Sequence, residues 1–333
     1  MNLFQLTRAL IDIPSLTGDE TAVCDFLADY LARLGYTTER AALTPGRDNL
    51  IVTTGRAPRV VFSTHLDTVP PFIASSEDAT HIYGRGACDT KGIIAAQLHA
   101  AERLRATGCH DFGLLFTVDE EAGSEGAKAV NNHPLAAECR YLINGEPTDN
   151  KLAVFSKGSL RVSLHTQGRA AHSAYPELGE SAIEKLLDIL NDVRAVRWPV
   201  DDVRGTTTCN IGILNGGTKT NVIPDAARAD LHFRTVTPNA QVQKLLSDAV
   251  AGRAEVEYLS ITEPVQMVDV AGFATCIVRF TTDIPHLSNW GQPLLLGPGS
   301  IFDAHTAHEK ISKAELQTAV DLYEKLARTL LAH

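Results

Sequence analysis

The sequence predicts an α/β protein: a mostly parallel sheet with helices on both faces, interrupted by a small ferredoxin-like α+β insert. Three observations carry this. Between Leu50 and Asn144, short β-branched runs alternate with helical patterns, the order that builds a parallel sheet. Between Ser159 and Ser260 the order becomes β-α-β-β-α-β, which can fold as a layer of its own. A last apolar strand, Pro293–Leu296, and His305 return only after that unit. The first domain is therefore read as discontinuous, 1–156 with 263–333, around an insert over 157–262.

Composition bounds the function. The 333 residues allow about two domains of ~150 each. Hydrophobic residues make up 44% and charged residues 21%, the balance of a soluble globular protein. A formal net charge of −10 repels phosphates, which argues against nucleic-acid and anionic-membrane partners. No apolar run reaches the ~18 residues of a membrane span. Met1–Leu6 lacks the basic region and apolar core of an export signal. Cys24, Cys88, Cys109, Cys139, Cys209 and Cys276 are scattered without a Cys-x-x-Cys pair, which reads as reduced thiols in a cytoplasmic protein.

The first well-signalled helix follows Thr17-Gly18-Asp19-Glu20, a capping-box pattern in which Glu20 reaches back to the cap amide. Val23, Phe26, Leu27, Tyr30, Leu31 and Leu34 fall at helical spacing, and Gly35 ends the helix. Val60 starts a buried strand that runs to His65. A helix is expected over Ile93–Ala106, and strands over Leu114–Val118 and Tyr141–Asn144. In the insert, Ser159–Thr166 alternates as a half-buried strand, and a helix begins near Ser181. Thr207–Leu214 and Ala227–Thr235 are strands, Pro238 opens a second helix, and Glu255–Ser260 is the last strand. Ser312-Lys313-Ala314-Glu315 is a second capping box, opening a helix with Leu316, Val320, Tyr323 and Leu330 inward.

Chemistry is expected beyond the carboxyl ends of such strands. The first strand runs out into His65-Leu66-Asp67; alone, that histidine is most simply a hydrogen-bonded loop residue. Three later segments repeat the design: Asp89 before the 93–106 helix, Asp119-Glu120-Glu121 after the second strand, and Glu146 in Gly145-Glu146-Pro147-Thr148. His305 follows the 293–296 strand through Gly297-Pro298-Gly299-Ser300. Two histidines and three acidic clusters make the ligand set of a two-metal site in which one carboxylate bridges both ions. Glu120 and Glu121, as neighbours in an extended segment, are expected to point opposite ways, one to metal and one to water. Cys88 beside Asp89 reads as a small buried filler.

These motifs, His-x-Asp-Thr-Val-Pro, Gly-Arg-Gly-x-x-Asp-x-Lys-Gly, Asp-Glu-Glu, Gly-Glu-Pro-Thr and Gly-Pro-Gly-Ser-Ile…Ala-His, resemble the co-catalytic zinc aminoacylase and carboxypeptidase family. Acetylornithine deacetylase and succinyl-diaminopimelate desuccinylase belong to it, and the match runs in order over nearly the whole chain. The resemblance implies a zinc-peptidase catalytic domain with an inserted dimerisation (lid) domain. It implies one metal on His65, Asp89 and Glu146, and a second on Asp89, Glu121 and His305, with Asp89 as the bridge. Glu120 matches the general base, and Asp67 the carboxylate behind His65. The implied ions are two Zn²⁺ per chain, with Co²⁺ or Mn²⁺ as substitutes.

The loops Gly168–Pro176 and Asn215–Pro224 read by composition as turns, and Gly216-Gly217-Thr218 lacks phosphate-loop spacing. The resemblance gives them more. His172 matches a histidine that hydrogen-bonds the oxyanion from the neighbouring subunit of a homodimer, and Asn221 and Arg234 match residues holding the substrate's amide and carboxylate. Gly299 and Ser300 fall in a substrate-binding segment; His308 reads as a surface or supporting residue. No further basic residue stands out for a second substrate carboxylate, except Lys219. The implied reaction is amide hydrolysis of an N-acyl amino acid, N-acetylornithine or a related N-acetylated one first. Succinyl-diaminopimelate desuccinylase and metallo-dipeptidase or carboxypeptidase are the alternatives on the same centre. A non-catalytic binder is disfavoured by the intact Asp67, Glu120 and five ligand positions.

Overall fold

The structure, a computed structural model, describes residues 1–332 and divides into two compact units. The first comprises Met1–Val154, Met267–Cys276 and the chain from Thr282; the second comprises Phe155–Gln266 and Ile277–Thr281.

In the first unit the inner strands are parallel, in the order Phe112–Thr117, Val60–His65, Tyr141–Asn144 and Gln292–Leu295. Thr37–Thr44 and Arg47–Thr53 add antiparallel strands on one side. Every residue of 60–65 and 112–117 is buried, which is why these runs are mostly apolar or β-branched and do not alternate. Val60 and Phe62 face one core cluster, Val61 and Leu115 another. The first cluster includes side chains of Leu3–Ile11, Lys91–Ala106 and Lys313–Leu331, with Tyr323 edge-on to Phe62 at 5.7 Å. Each fully buried side chain of this size stabilises the fold by roughly 1.5–3 kcal/mol.

Register then decides where polar residues emerge. His65 pairs with Thr117, Ser63 with Asn144, and Asn144 with Leu295. The four strands thus end along one rim, and the segments bearing Asp67, Glu120, Glu146 and His305 all leave from it.

Two N-terminal expectations change. A helix not read from the sequence, Leu3–Ile11, carries a complete capping box: Asn2 accepts from the Gln5 amide, and the Gln5 side chain accepts from the Asn2 amide. Thr21–Arg33 forms where expected, but without its box. Thr17 donates its hydroxyl to Asp67 at 2.9 Å, and the buried Glu20 takes both prongs of Arg47 at 2.6 and 2.9 Å. A buried carboxylate is costly unless paired, so the two-pronged ion pair wins over a cap bond. Ser312 does cap the last helix, accepting from the Glu315 amide.

The second unit has the β-α-β-β-α-β order. Its antiparallel sheet runs Thr208–Gly216, Ala226–Thr235, Gly158–Gln167, Glu255–Thr262, the ferredoxin-like arrangement. Leu160, Val162, Leu164, Leu231 and Phe233 point to one face, where they meet Leu186, Ile189, Val242 and Leu246 of the helices Ala182–Ala195 and Asn239–Val250. A small hairpin, Val200–Asp201 with Gly205–Thr206, is an addition the sequence reading lacked. Among the described residues no helix is long and apolar enough to cross a membrane.

Candidate metal centre

Asp89 lies between the two histidines and offers a different oxygen to each. Its Oδ1 is 3.0 Å from His65 Nε2, and its Oδ2 is 3.3 Å from His305 Nε2. Glu121 Oε1 is 3.0 Å from His305 Nε2, and Glu146 Oε1 is 3.9 Å from His65 Nε2. Donors sharing one tetrahedral ion at ~2.1 Å stand about 3.4 Å apart, and the observed spacings bracket that value. Ligand atoms of His65, Asp89 and Glu121 all lie within 4.8 Å of one another. Glu146 Oε1 is buried and has no hydrogen-bond partner, an arrangement that costs free energy unless a cation meets it. The donor set therefore fits two divalent ions sharing Asp89.

The electrostatics agree. Hydrogen bonds to Asp89 and Glu121 push the His305 imidazole up to about 10. Burial opposes charge on His65, yet Asp67, Asp89, Glu146 and Glu120 together carry it well above its ordinary value. Burial likewise opposes ionisation of Asp89, but His305 and His65 hold it below the usual carboxylate range. Glu120 and Glu146 go the other way: burial and neighbouring carboxylates outweigh His65 and push both well up. This rim favours more positive charge than its side chains carry.

His65 Nδ1 is 2.9 Å from the Asp67 backbone oxygen and 3.5 Å from its carboxylate, so the carbonyl orients the ring more closely. The Asp67 carboxylate accepts the amides of Glu120 and Glu121, each at 3.1 Å, besides the Thr17 hydroxyl. Glu120 and Glu121 are not extended; they form a turn entered through Asp119 at φ 69°. Their amides converge on Asp67, and turn geometry, not strand alternation, separates their side chains. Gly299, at φ +85°, is where a Cβ would meet Cys88 Cβ at 2.7 Å, so its glycine lets the loop close beside Asp89. Ser300 bridges to Thr148, whose hydroxyl accepts the Gly297 amide at 3.0 Å.

The remaining predicted residues lie in the second unit. The His172 and Asn221 loops are zipped together: His172 pairs with Val222, and the Ser173 amide donates to the Asn221 carbonyl at 3.0 Å. Arg234 lies at the other end of the Ala226–Thr235 strand, roughly 25 Å away at ~3.3 Å per residue. One amino acid is too short to touch both ends, so Asn221 groups with His172 and not with Arg234.

The model of peptidase family M20/M25/M40 matches residues 61–329. This chain belongs to that family. A peptidase M20 domain-containing protein of Schizosaccharomyces pombe is 35% identical over 98% of this chain and 84% of its own length. A probable carboxypeptidase of Aspergillus clavatus is 35% identical over 99% and 82%. The solved aminopeptidase PepT of Bacillus cereus superposes with TM-score 0.81 at 23% identity, covering 99% of this chain and 98% of that one. An M20 family metallo-carboxypeptidase of Sulfolobus solfataricus gives 0.76 at 16%, covering 99% of each. These two likenesses show a shared fold. The chain is an M20 metallo-hydrolase, and His65, Asp89 and Glu121 form its candidate metal cluster.

Two supports of this M20 site went unread in the sequence. Glu309 is buried; its Oε2 takes Arg85 Nη1 at 2.6 Å, and its Oε1 accepts the amides of Cys88 and Asp89, each at 3.2 Å. It pins the backbone at Asp89. Arg47 holds Asp119 at 2.8 Å while pairing with Glu20, and so anchors the acidic turn. The available signal was an acid just past His305 and an arginine just before Asp89, both of which look like surface charges in a linear reading. His308, by contrast, is exposed.

Proposed function

We propose that this M20 hydrolase cleaves the amide bond preceding a free carboxylate in a short substrate, as a metallo-carboxypeptidase or dipeptidase. The hydrolytic reading is carried by Asp89 presenting one oxygen to each histidine, with Glu120 on the same turn as Glu121. Whole-length similarity to proteins named probable carboxypeptidases moves the substrate toward a peptide and away from the N-acetyl amino acid expected first.

In this reading His65, Asp89 and Glu146 would hold one Zn²⁺, and Glu121 and His305, with Asp89, the other. When bound, such ions would supply a Lewis acid for the carbonyl and lower the pKa of water toward neutrality. Glu120, whose proton affinity is raised by burial, takes a proton from the attacking water and returns it to the departing nitrogen. Asp67 holds the turn that carries it. Arg234 offers the substrate carboxylate two parallel hydrogen bonds. His172 and Asn221, given their separation from Arg234, are assigned to a second copy of the chain in a homodimer.

A kcat/KM panel tests the substrate: dipeptides with free and amidated ends, N-acetylornithine, N-acetylcitrulline, N-acetyl-lysine and N-succinyl-diaminopimelate. Free-acid dipeptides are expected to lead, with amidated ones lower by several orders of magnitude. The second reading, deacetylation, is favoured by the Gly145–Thr148 and Gly297–Ile301 motifs, and N-acetylornithine outpacing every dipeptide would establish it in place of the first. Equal rates on amides would remove Arg234 from its role.

The dimer has its own test. Mixing inactive His172→Ala and Glu120→Ala chains creates heterodimers with one intact site, so activity should recover to about a quarter of wild type. No recovery despite demonstrated subunit exchange would place His172 in its own chain's site.

A further inference from the structure

One face of the second unit's sheet packs against the two helices; the other is mostly polar, and its cations are of two kinds. Toward one end they are paired: Arg228 with Asp230 at 2.7 Å, and His165 with Glu257 at 3.2 Å. Toward the other end stand Arg161 and Arg234. Strand register places Arg161 opposite His232 and Arg234 opposite Ser159, which makes the two guanidiniums diagonal neighbours. His232 Nε2 lies 2.8 Å from Ser159 Oγ within the same square. The flanking strands set Thr208 and Asn210 on one side and Ser260 and Thr262 on the other, none of them acidic. Among the described residues no ion pair joins either guanidinium to a carboxylate.

This is an unfavourable arrangement for an isolated sheet. Burial, then Arg161, pushes Arg234 below its ordinary value; burial, then Arg234 and Arg161, pushes His232 down to about 4. Like charges set side by side across strands destabilise a sheet, yet acids balance the cations a few residues along. The chain as a whole carries a net charge of −10, so an uncompensated cationic pair runs against its overall character.

We infer that Arg161 and Arg234, with Ser159 and His232 between them, bind a ligand bearing two carboxylates, namely an acidic carboxyl-terminal residue, aspartate or glutamate, of the substrate. This rests on the proposed reading of the chain as a hydrolase of free-acid substrates. Arg234 alone satisfies an α-carboxylate; the second guanidinium is then matched by a side-chain carboxylate. Lys219, the cation singled out in the sequence for a second carboxylate, lies in the loop at the opposite end of the sheet, and Arg161 takes its place.

Calorimetry with glutarate and with butyrate, on zinc-loaded full-length protein, tests this in wild type, Arg161→Gln and Arg234→Gln, alongside kcat/KM for dipeptides ending in Glu and in Gln. Glutarate should bind wild type ~10-fold or more tighter than butyrate, and both variants should lose that preference. The Glu-over-Gln ratio in turnover should fall ~10-fold in Arg161→Gln, mainly through KM. Its melting temperature without ligand should not fall, since only like-charge repulsion is removed, and this separates a lost site from a lost fold. Glutarate binding no better than butyrate, or undiminished in Arg161→Gln, overturns the site. Glutarate binding that needs Arg161, with no preference for Glu in turnover, overturns the substrate assignment. If no amide is cleaved at all while glutarate still distinguishes wild type from Arg161→Gln, the site stands and the hydrolase reading falls.

Discussion

Asp89→Ala is expected to leave at most one metal per chain and to lower kcat by on the order of 10⁴. Its two oxygens face two different histidines, so a single truncation removes a ligand from each half of the centre at once. No other ligand residue has this position: Glu146 lies toward His65 alone, and Glu121 pairs with His305. Metal analysis of chelator-stripped, zinc-reloaded protein reads the result directly. Wild type should approach two ions per chain. Two ions retained in Asp89→Ala would mean that the carboxylate does not bridge, whatever happened to activity.

The acidic pair on the turn yields the second large effect. Glu120→Ala should keep both metals and substrate affinity while lowering kcat by ~10²–10⁴, the span of a lost general base. Glu121→Ala should weaken the ion at His305, because its Oε1 is 3.0 Å from that imidazole. Both amides donate to Asp67 from the backbone, so neither truncation removes a bond that holds the turn. The contrast therefore isolates the side chains. Exchanged phenotypes, with metal lost from Glu120→Ala and retained in Glu121→Ala, would reverse the assignment.

The residues gathered at this rim are legible without coordinates because they obey a local pattern. A buried strand is an apolar run and a strand end is a polar break; His65 ends such a run, and Glu121, Glu146 and His305 follow one. The repeated design made the carboxylates credible as ligands when any one alone would have been a solvated loop acid. The insert was legible for the same reason: Leu160, Val162 and Leu164 alternate, and the helix starting after Ser181 changes the period. Where the reading failed, a local rule met a stronger distant partner. Thr17 and Glu20 form a plausible capping box in sequence, but Asp67 and Arg47 claim their side chains. Strand alternation would send Glu120 and Glu121 to opposite sides, but the strand ends at Thr117 and the chain turns.

The sequence by itself determined the fold class, the β-α-β-β-α-β order of the second unit and the residue types gathered at the strand ends, since periodicity and spacing are properties of short windows. Only the tertiary structure decided which atoms meet. Arg85 and Glu309 are 224 residues apart, yet the loops they sit on bring them to 2.6 Å, and Glu309 then holds the Asp89 amide. Ser159 and His232 are 73 apart, and register alone sets them, with Arg161 and Arg234, in one square of a sheet. A shift of that register by one residue would turn the square toward the helices and bury its charges. Charged pairs of this kind carry no periodic signature, and the free energy that places them comes from the apolar residues around them.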